Sequence, residues 1–247
     1  MPELYLNNFK FAPMFIMLDG PDGSGKSTII ETWKKYLTSQ GNAIFDLKDY
    51  WKKTGHYPEL SEIKSYDFIF SSEPTFADMG KVIRNELIKQ GTAYPTKAIA
   101  EAYSIDRLIL YTKILIPLLK EKKCIIQDRG VSTSLAFQTL GKNKLNFTEV
   151  TKLSGNDLAL KYRPDHLILL KVSAKTIMKR IKSRTDKKDN AIFEKQKFQE
   201  MANKQFISPT YKKIFTKHGT KITYLNAETN LAIMNSEATK LLQTILK

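Results

Sequence analysis

The sequence predicts an α/β fold of three layers, with helices on both faces of a parallel central sheet of about five strands. Three features of the 247 residues carry this expectation. Short, nearly continuous apolar runs recur along the chain, as in strands covered on both faces. Between them lie longer segments whose apolar residues repeat every three or four positions, the pattern of amphipathic helices. The first apolar run enters a helix through a glycine-rich turn, the order found where a helix N-terminus receives a phosphate. A single domain over residues 1–247 is the simplest division, since 42% hydrophobic residues suffice for one packed core.

The stretch that orders the rest is Phe15 to Thr28, FIMLDGPDGSGKST. Phe15-Ile16-Met17-Leu18 reads as a buried strand, and Ser27 to Ser39 as a helix with Ile29, Ile30, Trp33 and Leu37 on one stripe. Between them, Gly20 to Ser27 fits G-x-x-x-x-G-K-[ST], the P-loop whose backbone N–H groups wrap nucleotide phosphates. Gly23 and Gly25 let the main chain turn tightly and approach an anion that a Cβ would hold away. Lys26 reaches the outer phosphates, and the Ser27 hydroxyl suits Mg²⁺. Gly20, Asp22, Gly23, Ser24, Gly25, Lys26, Ser27 and Thr28 are therefore the expected ATP-binding residues.

Gly41 and Asn42 turn the chain into a second strand, Ala43 to Leu47. Residues 48–67 mix aromatics, charges and a proline, and read as an excursion outside the core with at most a short helix from Glu59 to Lys64. Phe68-Ile69-Phe70 resumes the sheet and exits at Ser71 to Thr75, where Pro74 denies further pairing. Asp78 to Gln90 is expected to be a helix with Met79, Val82, Ile83 and Leu87 inward and Arg84 offset toward a cleft. A long helix from Ala98 to Glu121 carries Tyr103, Asp106, Arg107 and Tyr111, and Pro117 should bend or break its last turns.

Cys124 to Arg129 is a strand ending in an acid and an arginine. Ligands of open parallel sheets sit beyond the carboxyl ends of the strands. Asp128 is thereby placed to act on Mg²⁺ directly or through water, and Arg129 to fork onto a phosphate. Ser132 to Leu140 then opens a helix with Ser and Thr at its cap. A helix from Phe147 to Lys161, a strand from His166 to Val172 and a helix from Lys175 to Ser183 follow. Residues 180–190 form a basic, almost wholly polar loop, which cannot bury itself and suits a mobile lid over phosphates. Helices from Phe193 to Phe206 and Pro209 to His218, a strand from Ile222 to Leu225 and a helix from Thr229 to Leu246 complete the alternation.

Forty Lys and Arg against 25 Asp and Glu give a formal charge of +15, which favours anionic partners. The basic residues are spread along nearly every amphipathic segment, without the exposed aromatics of a nucleic-acid reader, so a polyphosphate site accounts for them better than nucleic acid. Cys124 is the only cysteine, which excludes an internal disulfide. Neither a basic leader with a long apolar run nor about eighteen consecutive apolar residues occurs, so the expectation is a cytoplasmic protein with no membrane span.

Several of these motifs occur together, and in this order the chain resembles thymidylate kinase, a P-loop nucleoside monophosphate kinase family. The strand running into Gly20-Pro-Asp-Gly-Ser-Gly-Lys-Ser-Thr28 matches G-x-D-G-x-G-K-[ST]-T. Glu73-Pro74-Thr75 matches an E-P segment, Ile83-Arg84 an I-R pair, and Tyr103 with Asp106-Arg107 an aromatic followed by D-R. Ile116-Pro117-Leu118-Leu119, Asp128-Arg129 with Ser132 to Gln138, and Pro164-Asp165 complete the set, from Phe15 to the last helix. The resemblance implies transfer of the ATP γ-phosphate to dTMP, with Mg²⁺, in a homodimer joined through the long helices. It implies that Asp22 holds the sugar 3′-hydroxyl and helps place Mg²⁺, and that Tyr103 stacks on thymine. Arg107 would then bond the carbonyl edge of the base and Arg129 the dTMP phosphate. Ser134 and Gln138 would lie near the base, Phe137 near C2′, and Glu73 and Arg84 would complete the acceptor site, Arg84 at the phosphate.

Five departures stand out. Gly23 occupies a P-loop position where some family members carry arginine, which shifts the catalytic cation to Arg180 and Arg184 of the lid. Ser72 replaces an arginine before E-P, and Gly130 an aromatic after D-R. The acidic pair after the lid is incomplete, with Glu194 present, Ala191 in place of its partner and Asp189 displaced. The excursion at 48–67 has no counterpart. The rival functions are a deoxynucleoside kinase, with Glu73 as base for the sugar 5′-hydroxyl, another nucleoside monophosphate kinase, and more remotely a nucleotide-regulated nucleic-acid-binding protein.

Overall fold

The structure, a computed structural model, describes residues 12–89, 91–141, 143–182 and 196–247. β1 (Met14–Asp19) runs through the glycine loop into α1 (Lys26–Ser39), and β2 (Ile44–Asp46) leads to α2 (Leu47–Thr54) and α3 (Leu60–Ile63). β3 (Phe68–Ser72) is followed by α4 (Asp78–Val82), which continues as a π-helical turn over Ile83–Leu87. α5 (Thr96–Leu110) passes through a second π-helical turn, Tyr111–Leu115, into α6 (Ile116–Lys120). Next come β4 (Cys124–Asp128), α7 (Val131–Phe137), α8 (Phe147–Lys152), α9 (Ser154–Lys161), β5 (His166–Lys171) and α10 (Ala174–Lys182). α11 (Gln196–Phe206), α12 (Pro209–Thr216), β6 (Lys221–Asn226) and α13 (Leu231–Ile245) close the chain.

The strands form one parallel sheet in the order β2-β3-β4-β1-β5-β6, six rather than about five. Alternation along each strand feeds two cores. Phe15, Met17, Ile69, Ile125, Leu167 and Leu169 pack with residues of α2, α5, α7, α9, α11 and α12. Ile16, Leu18, Phe68, Phe70, Ile126, Ile168 and Leu170 pack with residues of α1, α10 and α13. Both faces are covered, which is why these strands read as continuous apolar runs.

The register sets the site. Leu18 of β1 and Ser72 of β3 both pair with Asp128 of β4, so Asp19, Glu73 and Arg129 leave the sheet at one level beyond the carboxyl ends. The amide of Glu73 donates to the Asp128 carbonyl at 3.0 Å and that of Arg129 to the Leu18 carbonyl at 2.9 Å, which fixes both exits.

Several local expectations are corrected. Residues 48–67 are not outside the core: Trp51 and Ile63 are fully buried, and Trp51 meets the Tyr57 ring edge-on at 5.6 Å. The apolar residues there are too sparse to show a period, yet they converge from two short helices. Pro117 does not break its helix. It sits at the start of α6, immediately after the π-helical turn, where a wider turn relieves the clash between the proline ring and the preceding carbonyls. Val82, expected inward, is 47% exposed, and the adjacent Ile83 is the residue buried there. The helix expected over 147–161 is two helices parted by an extended Leu153, and Gly155 of the second comes so close to α5 that a Cβ would stand 1.8 Å from the Ser104 carbonyl oxygen. α7 has no Ser or Thr cap, because the Ser132 hydroxyl meets that of Tyr211 at 2.6 Å and Thr133 donates to Asp19.

Candidate active site

The glycine loop is pressed against α10. Gly23 has φ +76°, and a Cβ there would stand 3.1 Å from Ile181 Cγ1 and 3.3 Å from the Ile177 carbonyl oxygen. A side chain at this position would strain the left-handed backbone and require α10 to give by a few tenths of an ångström, which accounts physically for Gly23. Lys26 is buried at the foot of α1, and its Nζ donates to the carbonyls of Gly20 at 2.9 Å and Pro21 at 2.7 Å and to Ser24 Oγ at 3.3 Å. Burial, with the neighbouring Arg129 charge, pulls its pKa down to about 8, partly offset by Asp128, Asp22 and Asp19. Ser27 is exposed at the start of the helix, next to the half-buried Thr28.

Arg129 ties the loop to the end of β4. Its Nη1 donates to Asp19 Oδ1 at 3.3 Å and to the Gly20 carbonyl at 3.2 Å, and its Nη2 pairs with Asp22. The residue has φ +69°, a left-handed conformation that costs on the order of 1–3 kcal/mol for a side chain of this kind and recurs at functional sites. Asp19 is fully buried and accepts from Thr133 Oγ1 at 2.7 and 2.9 Å, and burial raises its pKa. Gln199 of α11 grips Asp22 from behind: its Oε1 accepts from the Asp22 amide at 3.1 Å.

At the end of β3, Glu73 and Arg107 form a fully buried ion pair at 2.5 Å. Arg107 also donates to Asn156 and, at 3.2 Å, to Ser134 Oγ, which in turn accepts from Gln138 Nε2 at 3.2 Å. Gln127 Nε2 donates to Glu73 Oε1 at 2.9 Å. Burial outweighs the Arg107 charge and pushes the Glu73 pKa up to about 7. Asp106 fastens the same loop by accepting from the Thr75 amide at 2.8 Å and hydroxyl at 2.6 Å. Among the described residues, Arg107 Nε, Gln138 Oε1 and Asp128 Oδ1 are buried without a hydrogen-bond partner. Each such atom costs about 1–3 kcal/mol, so a ligand that meets them is favoured.

These groups open onto one cleft of about 710 Å³. Lys26, Ser27 and Thr28 line it on the loop side, and Glu73, Tyr103, Arg107, Ser134 and Phe137 on the far side, with Asp22, Asp128 and Arg129 between. Arg84 reaches the rim, where its Nε donates to the Thr75 carbonyl at 3.1 Å, its Nη2 donates to that of Pro74, and its guanidinium stacks 3.7 Å from the Phe76 ring centre. It clamps the loop after β3, more committed to backbone than a free phosphate contact would be. Arg180, read as part of a lid, stands in α10 and donates to the carbonyls of Ser24 at 3.2 Å and Ala227 at 2.8 Å. Arg184, Asp189 and Glu194 lie outside the described residues.

For Mg²⁺, the oxygen donors are hard and few. No cluster of three His, Cys, Asp or Glu occurs among the described residues. The Ser27 hydroxyl and the unpartnered Asp128 Oδ1 face the same cleft, which fits an ion held mainly by substrate phosphates and water. The Asp22 carboxylate is engaged by Arg129.

Asp19, Gln127, Asn156 and Gln199 were not singled out from the sequence. An acid ending an apolar strand is a legible signal for Asp19, whereas the other three are recognisable only once helices and strands distant in sequence meet. Among the described residues no helix is long and apolar enough to cross a membrane.

A sequence model of the family described as thymidylate kinase matches residues 56–237, beginning after the glycine loop. The chain is 30% identical over 229 residues to a thymidylate kinase of Finegoldia magna, covering 90% of each protein. It is also 30% identical over 217 residues to a probable thymidylate kinase of Methanocaldococcus jannaschii, covering 86% of this chain and 95% of that one. A probable thymidylate kinase of Pyrococcus horikoshii shares 30% identity over 174 residues, 69% of this chain and 70% of its own. With a phosphate loop, a buried acid and arginine pair and an aromatic wall around one cleft, and with these matches over most of its length, the chain belongs to the thymidylate kinase family.

Proposed function

We propose that the chain transfers the γ-phosphoryl group of ATP to dTMP, giving ADP and dTDP. The observation that carries this reading is the single cleft with a P-loop at one side and the Tyr103, Arg107, Ser134 and Phe137 set at the other. A phosphate oxygen of dTMP attacks the γ-phosphorus in line, and the bond from that phosphorus to the β–γ bridging oxygen breaks, leaving ADP. The acceptor is already an anion, so no general base is needed, and the rate comes from alignment and from cations around the transferring group.

In this reading Lys26 turns from the loop carbonyls to the outer phosphates of ATP, and Arg129 turns from Asp22 to the acceptor phosphate. Asp22 is then released for the sugar 3′-hydroxyl. Tyr103 stacks on thymine, Arg107 Nε meets its carbonyl edge beside Ser134 and Gln138, and the Phe137 ring leaves little room for a ribose 2′-hydroxyl. Ser27 and Asp128 would hold Mg²⁺ together with the ATP phosphates, and the ion would supply charge neutralisation. Arg184 is the proposed lid cation, and Arg180 holds the glycine loop. The commitment of Glu73 to Arg107 and Gln127 disfavours a base role for it, and with it the deoxynucleoside kinase alternative.

A coupled ADP-release assay with dTMP, dUMP, dAMP and thymidine tests the reading, with dTMP expected to be turned over best. Turnover of thymidine without dTMP would overturn it. We also propose a cytoplasmic homodimer joined through the long helices, for which light scattering that shows only monomer is the contrary result.

A further inference from the structure

The pose of Arg107 is set by α9 as well as by Glu73. The chain enters α9 through the extended Leu153, so that helix starts afresh after α8 and lies against α5. Gly155 sits over the turn of α5 that carries Arg107. Its amide donates to Ser104 Oγ at 2.8 Å, and a Cβ would stand 1.8 Å from the Ser104 carbonyl oxygen and 2.8 Å from the Leu108 nitrogen. Glycine alone permits that approach. It brings the next residue, the fully buried Asn156, within reach of the guanidinium.

The two partners of the Asn156 amide fix which way it points. Its Nδ2 donates to the Val150 carbonyl at 2.7 Å, and a carbonyl only accepts. Its Oδ1 is thereby turned to Arg107 Nη1, which only donates. The guanidinium is then held from three elements, by Asn156 of α9 at Nη1 and by Glu73 after β3 and Ser134 of α7 at Nη2. Glu73 already meets its charge, and a neutral amide adds position without a second buried charge to desolvate. What is left is Nε, a buried donor with no acceptor among the described residues, on a side chain that lines the cleft. A ring carbonyl oxygen satisfies it. A ring amino group in the same place brings a second donor and leaves both unpaired, which is the costly case.

We infer that Asn156, brought into place by Gly155, is a positioning residue that holds Arg107 so that its Nε selects a pyrimidine with a carbonyl oxygen, rather than an amino group, at C4. The inference rests on the reading of the acceptor as dTMP. Titration calorimetry of the full chain with dTMP and with 5-methyl-dCMP, which carries an amino group at C4, measures the selection. Asn156→Ala is expected to weaken dTMP binding by about tenfold, the scale of one hydrogen bond to a charged group, and 5-methyl-dCMP binding by less than about twofold. The ratio of the two affinities therefore falls, which a merely structural role would not cause. ATP affinity should not move, and this also reports that the variant is folded. Asn156→Leu, which has the same reach and no polar atom, gives the same reading where the alanine variant does not fold. Asn156→Asp keeps an acceptor beside Arg107 and should retain most of the dTMP affinity. Unchanged dTMP binding, equal losses for the two nucleotides, or an aspartate variant as weak as the alanine one would overturn the inference. So would wild-type protein that binds 5-methyl-dCMP as tightly as dTMP. If the preference for dTMP depends on Asn156 but dTMP is not phosphorylated, the positioning role stands and the proposed reaction fails.

Discussion

Replacing Arg107 by Met tests the energetic core of the site. Arg107 is 1% exposed and its guanidinium holds Glu73, Asn156 and Ser134. Methionine fills much of the side-chain volume but provides neither charge nor donors. At pH 6 the wild-type Glu73, with its pKa near 7, is mostly protonated, so the loss is that of hydrogen bonds, about 1–3 kcal/mol for each buried partner left unsatisfied. Above pH 7 the wild-type carboxylate ionises against Arg107, whereas in the variant it has lost the cation that lowers its pKa and keeps its proton to higher pH.

The sign follows from linkage. A carboxyl whose folded pKa is raised contributes stability that is fully present below its unfolded pKa near 4.5 and is lost as pH rises through the folded pKa. In the variant that decline continues past 7, adding about 1.4 kcal/mol of destabilisation per pH unit until the new pKa is reached. Urea unfolding of both proteins at pH 6 and pH 8.5 measures this. A difference in unfolding free energy that is the same at both pH values would refute the account of Glu73 as a carboxyl raised by burial and restrained by Arg107.

Two further results are expected. The pKa of about 8 for Lys26 predicts that kcat/KM for ATP, which reports the free enzyme, falls as pH rises above about 8 and the ammonium is lost; a flat profile to pH 9.5 would contradict it. Trp51→Ala should destabilise the protein by about 3–5 kcal/mol in thermal or urea unfolding, because the ring is fully buried in the core beneath α2; a loss under about 1 kcal/mol would return residues 48–67 to the surface.

Much of this architecture is legible in the residues. The P-loop announces itself because backbone access to phosphate demands glycines at fixed spacing. Asp128-Arg129 does so because two charges directly after an apolar run fall where a buried parallel strand leaves the sheet, on the side where ligands bind. Tyr103 and Arg107 gained their meaning from the ordered resemblance, since on a helix alone they are ordinary side chains. What stayed hidden depends on distant segments meeting. Gln199 grips Asp22 across 177 positions, and Asn156 holds Arg107 across 49. Trp51 and Tyr57 pack edge to edge from a segment with no period to read. The π-helical turn before Pro117 was equally hidden, because a proline signals a missing donor and not how the chain absorbs it.

The central claim is the transfer itself. Incubating the protein with Mg²⁺, dTMP and ATP labelled in the γ-phosphate, and separating the products, follows the moved group directly. The account predicts label in the β-phosphate of dTDP, formed in step with ADP. Label found only in inorganic phosphate, or only on added thymidine, would contradict it.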